Sequence, residues 1–251
     1  MNREAVISQF KRYVEDFAAV DEGVSLKLAH SLRVSSLCEI LAMSLQLSRD
    51  EQNLAWLIGV LHDIGRFEQL RQYHTFIDYQ SMDHAKYGAR YLFQEGHIRD
   101  FLQDDCEDPV IEAAIAQHNA YQLSDDLLPR QRLFCQILRD ADKIDIFRVC
   151  AEGLRRGQNV WRVDDKDFEK QGISDAVMAE ARQKKLVQTR VKKTFMDFYV
   201  GTLCFYFDLV YDESRKLAKD QGYFSELLNF HSQNEDSEAK LNEIRRLIQG
   251  D

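Results

Sequence analysis

The chain has 251 residues, 45% hydrophobic and 30% charged, an ordinary globular composition long enough to bury a real core. Its formal net charge of −9 excludes an electrostatic grip on nucleic acid or anionic lipid over the whole surface, while leaving room for a local basic pocket. Only two prolines, Pro109 and Pro129, and 11 glycines interrupt long runs of Leu, Ala, Glu, Lys, Arg and Gln, which predicts an all-α fold.

In chain order, residues 3–19 place Val6, Phe10, Tyr13, Val14 and Phe17 on one helical face, and residues 26–47 form a longer helix. Ser48-Arg-Asp-Glu51 is a capping box whose helix runs to about Asp63, with Gly65 as a left-handed stop. Residues 66–81, "RFEQLRQYHTFIDYQS", read as a long connection of the kind that is often functional. Ser81 is the expected cap of a helix over 82–95, and helices near 108–120 and 131–150 follow. Beyond them come a polar stretch at 155–173, a helix from Ser174, an aromatic helix at 195–212 and a broken helical tail. The expected organisation is a helical domain over 1–150 and a helical extension over 151–251, packed together as one compact unit.

No internal repeat, low-complexity segment or convincing set of strands is visible. The longest uncharged apolar-rich run, 198–207, is too short to cross a bilayer. The opening "MNREAVISQFKRYVEDF" lacks the apolar centre of a signal peptide. Five singly placed cysteines read as reduced thiols. Together these features predict a cytoplasmic protein without a membrane or nucleic-acid partner.

The polar residues on the apolar stripes carry the chemistry. His30 falls in line with Leu26, Val34, Leu37 and Leu41; His62 follows Ile58 at four and Ala55 at seven. His84 precedes Gly88, Tyr91 and Leu92, His118 follows Ile111, Ala114 and Ile115, and Asp142 lies in line with Cys135, Leu138 and Ile146. A single core histidine bonded to a backbone carbonyl needs no explanation. Five helices that each turn a possible ligand inward do need one, because an unpaired polar group in a core costs about 1–3 kcal/mol and an unpaired carboxylate more. A shared divalent cation satisfies the imidazoles and neutralises Asp63 and Asp142 together. Adjacent residues on a helix diverge by about 100°, but at a helix end His62 and Asp63 can converge on one ion or bridge two.

The order His30, His62-Asp63, Asp142 resembles the H…HD…D signature of the HD superfamily of metal-dependent phosphohydrolases. The flanking text, "HSLRV", "GVLHDIGR" and "RDADKID", supports the match over roughly 20–150. The resemblance implies an all-α helical bundle with His30, His62, Asp63 and Asp142 on a first metal. It also implies His84 in "MDHAKYGARYL" and His118 in "IAQHNAY" on a second, with Asp63 as the bridge. Some binuclear members carry two adjacent histidines where this chain has His118-Asn119. Nitrogen and carboxylate ligands without thiolates suit Mn, Fe, Co, Ni or Zn and leave room for Mg.

The function so implied is hydrolysis of a small phosphate ester, with nucleotides among the candidates, by metal-activated water. Asp63 or Asp142 would orient that water. Lys143 and Arg66 are expected to hold phosphate oxygens, with Arg33 a third candidate and Asn119 a substrate or supporting contact. Each has an ordinary alternative: a solvated helix end or an ion pair to Glu68 or Asp145 for the cations, a helix cap for Asn119. The basic turn 153–162 reads as surface, with reach to a phosphate as the alternative, and the aromatics of 66–81 read as packing, with a lid that stacks on a base as the alternative. His74, His97 and His231 lie off the pattern. The aromatic segment 195–212 is core packing or, alternatively, a homodimer surface. Two other functions fit the same residues: a di-iron oxygenase, since relatives of the fold hold two irons with the same six-ligand order, and a non-catalytic nucleotide-binding module.

Overall fold

The computed structural model describes residues 1–17, 23–158, 160, 161 and 163–250. All its regular elements are helical, and no strand occurs among the described residues. The chain divides into two compact units, Met1–Asp142 and Lys143–Asp251.

The first unit begins with α1 (Arg3–Glu15), which buries Val6, Phe10 and Val14. The stripe continues to Phe17, while residues 18 and 19 of the expected helix lie outside the described residues. Phe10 and Tyr13 set their rings edge-on to Phe67. Next come α2 (Gly23–Ser44) and α3 (Arg49–Leu61). Ser48 and Glu51 make the reciprocal capping bonds that their spacing predicts. α2 and α3 meet at Gly59, where a β-carbon would stand 2.5 Å from the Ser35 Cα.

The connection expected at 66–81 is largely a helix, α4 (Ile64–Tyr73). Its apolar spacing is short, but Ile64, Phe67 and Leu70 are buried together with Glu68 and Gln69, and buried polar residues mask the period in the sequence. The chain stops at His74, which takes a left-handed conformation (φ 52°). Gly65 is therefore not a helix stop. It lies inside α4 because α5 (His84–Ala89) comes too close for a side chain: a β-carbon would fall 2.2 Å from the His84 carbonyl oxygen. A β-carbon on Gly88 would in turn stand 3.2 Å from the Gly65 nitrogen. Replacing Gly65 with Ala should push α5 away and lower the unfolding midpoint by several degrees, on the scale of about 1–3 kcal/mol for overpacking; thermal melts of the two proteins check this.

Asp83, not Ser81, caps α5 by accepting from the Lys86 N–H. Ser81 instead donates to the Ile77 carbonyl and accepts from Gln69. The helix expected over 82–95 is α5 followed by a π-helical turn, Arg90–Gln94. α6 (Asp108–Gln117) and α7 (Pro129–Arg155) complete the site-bearing part, and α7 runs on through the division.

The second unit holds α8 (Asp175–Ala181), α9 (Phe195–Leu203), α10 (Asp212–Asp220), α11 (Tyr223–Leu228) and α12 (Glu235–Gln249). The helix expected over 195–212 ends at Leu203 and tightens into a 3-10 turn at Cys204–Asp208, a run of weak helix formers. Its aromatics are core: Tyr199 packs on Trp161 and Phe230, and its hydroxyl donates to the Leu227 carbonyl. Asn159 and Arg162 of the basic turn lie outside the described residues. No described helix is long and apolar enough to cross a membrane.

Candidate metal centre

Six side chains from six helices or helix ends meet in the first unit. His30 and Asp142 come from the middles of α2 and α7. His62 caps the C-terminus of α3 and Asp63 the N-terminus of α4; His84 opens α5, and His118 caps the C-terminus of α6. The adjacent pair His62-Asp63 can face one point because Asp63 leaves helical geometry (φ −99°, ψ 17°) between α3 and α4. Its carboxylate makes no capping bond and is spent on the cluster instead.

Asp63 is the hub. Its Oδ2 lies 3.6 Å from Nε2 of both His30 and His62, and Asp142 Oδ1 is 3.1 Å and 3.8 Å from the same two nitrogens. Its Oδ1 lies 3.3 Å from His84 Nε2 and 3.6 Å from His118 Nε2. One carboxylate thus faces two half-sites, and within each of the groups His30-His62-Asp63, His62-His118-Asp142 and Asp63-His84-His118 the ligand atoms lie within 4.8 Å of one another.

The imidazoles are held for ligation. His62 Nδ1 donates to the Gly59 carbonyl and His118 Nδ1 to the Ile115 carbonyl, each at 2.8 Å. His84 Nδ1 donates to both oxygens of Asp78 at 2.8 and 2.9 Å. A ring that gives its Nδ1 proton away presents a lone pair at Nε2. His62 Nε2 is fully buried and has no hydrogen-bond partner. His84 Nε2 and His118 Nε2 are 2.9 Å apart, so two lone pairs confront each other. Ligands at right angles on one ion, each about 2.1 Å from it, stand about 3 Å apart. The residues therefore fit a divalent cation, which would satisfy the orphaned atom and remove the repulsion.

Burial pushes His62 down to about 3, against the pull of Asp63 and Asp142. Burial, aided by Arg66, also lowers His84. Burial would raise Asp63, but Lys27 and the surrounding imidazoles outweigh it and hold the carboxyl well below the usual range. Asp142 is lowered in the same way, with His30 the main opponent of burial. In the metal-free protein, folded His62 stays neutral to about pH 3 whereas the unfolded ring takes a proton near 6.5. Between those values the unfolded chain binds more protons, so stability should fall as pH drops from about 6.5 toward 3. Urea midpoints in chelator at pH 7, 6 and 5 should decline, and His62→Gln should flatten the slope.

Arg66 Nε lies 3.5 Å from Asp63 Oδ1, and Nη1 donates to Asp78 and the Phe76 carbonyl, each at 2.7 Å, and to Gln69 at 2.6 Å, while Glu68 pairs with Arg71. Arg33 is half-buried on α2, three residues past His30. Asn119 is not the cap of α6, a position His118 fills; its amide donates to Asp78 at 3.1 Å and Asp83 at 3.0 Å. Lys143 is buried and makes an ion pair with Asp208 at 3.0 Å within the second unit. His97 pairs with Asp100 and His231 with Glu238.

Three residues at the centre have no counterpart among the sequence expectations. Lys27 Nζ is 2.7 Å from Asp63 Oδ2, one helical turn before His30, a signal that the spacing carried. Asp78 joins His84, Arg66, Gln69 and Asn119, and is the only acid between Glu68 and Asp83. Buried Arg139 donates to the Gln117, His118 and Ala120 carbonyls, satisfying the end of α6 that carries His118. Asp78→Asn should weaken metal binding at the His84 half by about 10–100-fold, read by chelator competition.

Fold and site together define an all-α protein built around a buried His/Asp centre of the metal-binding type. Residues 28–146 match the HD domain model, and that span includes all six residues. The chain carries an HD domain, the mark of a metal-dependent hydrolase-type superfamily. No curated protein and no solved structure matches the chain.

Proposed function

We propose that the protein is a metal-dependent phosphohydrolase that cleaves a small phosphate ester. The observation that carries this reading is the pair of cations on the bridging carboxylate: Lys27 Nζ 2.7 Å from one Asp63 oxygen, Arg66 Nε 3.5 Å from the other. His30, His62, Asp63 and Asp142 would hold one ion, and Asp63, His84 and His118 a second. Bound metal supplies a water acidic enough to attack near neutral pH and a Lewis acid for a phosphoryl oxygen.

The chain's own residues do the rest. Asp63 and Asp142, both held ionised, accept hydrogen bonds from the attacking water and orient it. Arg66 Nε has no hydrogen-bond partner of its own and is aimed at the cluster, free to donate to a phosphoryl oxygen. Lys27 adds a point charge to the same region. Lys143, committed to Asp208, is given no part in catalysis.

A second reading keeps support from the ligand set, since the six residues of the di-iron oxygenases of this fold meet here in one cluster. Elemental analysis joined to two assays tests both. Phosphate release from a panel of phosphate esters, with manganese, nickel or magnesium bound, upholds the hydrolase. Two irons with oxygen consumption and no phosphate release overturn it in favour of the oxygenase. No metal under any condition overturns both and leaves a binding module.

A further inference from the structure

α2 carries apolar residues on both of its faces. The inner face buries Val24, Val34, Leu37, Cys38 and Leu41 around His30. On the other side Leu26, Ile40 and Met43 are 37%, 41% and 55% exposed. Leu26, Ala29, Arg33, Ser36, Ile40 and Met43 follow one another at alternating steps of three and four residues, and all but the half-buried Arg33 are exposed. That alternation is the 3.5-residue repeat of a helix seam that packs on another helix. A helix that is apolar all round is ordinarily covered all round.

Two features say what covers this seam. The first is charge. The chain carries a net −9, yet α2 holds only Lys27, Arg33 and Glu39 besides His30. Lys27 reaches inward to Asp63, and Glu39, on the flank, is held by Arg3 and Arg49. The seam itself presents no carboxylate, so two copies of an acidic protein can meet along it without their acids opposing each other.

The second is size. Let two copies of α2 cross antiparallel about a two-fold axis between Arg33 and Ser36, near the middle of the helix. Leu26 then faces the partner's Met43, Ala29 the partner's Ile40 and Arg33 the partner's Ser36. The small side chains meet large ones, and the flexible methionine fills what Leu26 leaves, so the layers close. A parallel pair would set Ala29 and Ser36 against themselves, leaving gaps, and would stand two Arg33 cations face to face.

We propose that the outer face of α2 is the interface of a homodimer, two copies of this chain packed antiparallel along Leu26, Ala29, Ser36, Ile40 and Met43. The symmetry is isologous, each copy offering the same surface. A contact confined to one helix pair is smaller than the roughly 1,600 Å² of a standard interface, so the dimer forms at micromolar concentration. This assignment stands apart from the phosphohydrolase reading.

Sedimentation of the full chain from about 1 to 200 µM tests it, the range in which such an interface is populated. The mass should rise from 29.4 kDa toward twice that value. Ile40→Glu should weaken association at least about 100-fold, because a two-fold interface carries the change twice, while the circular dichroism spectrum stays the same. Paired cysteines fix the orientation. In a Cys106→Ser background, which removes the exposed native thiol, Ala29→Cys combined with Ile40→Cys should oxidise to a covalent dimer, and neither cysteine alone should do so. The two positions are about 16 Å apart along one helix, beyond the reach of a disulfide within a chain. A chain that stays monomeric at about 200 µM overturns the proposal and leaves the face to a different protein. A dimer that survives Ile40→Glu overturns it by placing the interface elsewhere. Absence of the paired link, or a link from Ala29→Cys alone, overturns the antiparallel packing and the proposal with it.

Discussion

Asp63→Asn should remove both ions and lower hydrolysis at least about 10³-fold, the consequence of losing several kcal/mol of transition-state stabilisation. The size of the effect follows from geometry. Asp63 is 2% exposed, and each of its oxygens serves a different pair of histidines: Oδ2 faces His30 and His62, Oδ1 faces His84 and His118. An amide has the same shape but only one acceptor oxygen. Whichever way it turns, its NH₂ meets a half-site where a ligand is required, and Lys27 loses the carboxylate 2.7 Å away. Asp142→Asn gives the contrast, since among the described histidines Asp142 lies within ion-pair distance of His30 and His62. That variant should lose one ion and keep the one on His84 and His118. Elemental analysis of the three proteins reads the stoichiometry directly. An Asp63→Asn protein that retains two ions would show that the carboxylate is not the bridge.

The part of this centre that the sequence displays is the part written in helix period. His30, His62, His84, His118 and Asp142 each continue an apolar stripe, so each could be seen as a polar residue facing inward without knowledge of its partners. Ser48 and Glu51 were legible for a similar reason, because a capping box is complete within four residues. What escaped depends on contacts between distant segments. Gly65 follows the dyad where a helix stop would be ordinary, and only the approach of α5 to 2.2 Å of its missing β-carbon shows that it is a packing glycine. α4 escaped because Glu68 and Gln69 are buried with Phe67 and Leu70, which breaks the polar-apolar alternation. Asp78 is a lone acid in what reads as a loop, and its four partners come from α4, α5 and the turn after α6. Lys143 follows Asp142 in sequence, but neighbours on a helix diverge by about 100°, and the Asp208 partner of its ammonium lies too far along the chain to be seen in the sequence.

Removal of the metal should cost the first unit far more stability than any single substitution away from the centre. A ligand present at about 1,000 times its Kd and bound only by the folded state contributes about 4 kcal/mol, which for a chain of this size is a shift of roughly 8–16 °C in Tm. The metal-free centre shows where that energy resides. His62 Nε2 is buried without a partner, two imidazole lone pairs lie 2.9 Å apart, and the ends of α3, α5 and α6 converge on that point. The two tryptophans allow the shift to be assigned. Trp56 is buried on α3 and Trp161 packs on Phe195 and Tyr199 in the second unit, so a Trp161→Phe protein reports the first unit alone through Trp56. Its fluorescence melt should move down by the full amount on addition of chelator and recover when metal is restored. The same melt in the Asp63→Asn background should move by less than about 2 °C, because no ion is left to remove. A full chelator shift in that background would place the stabilising ion somewhere other than between these histidines.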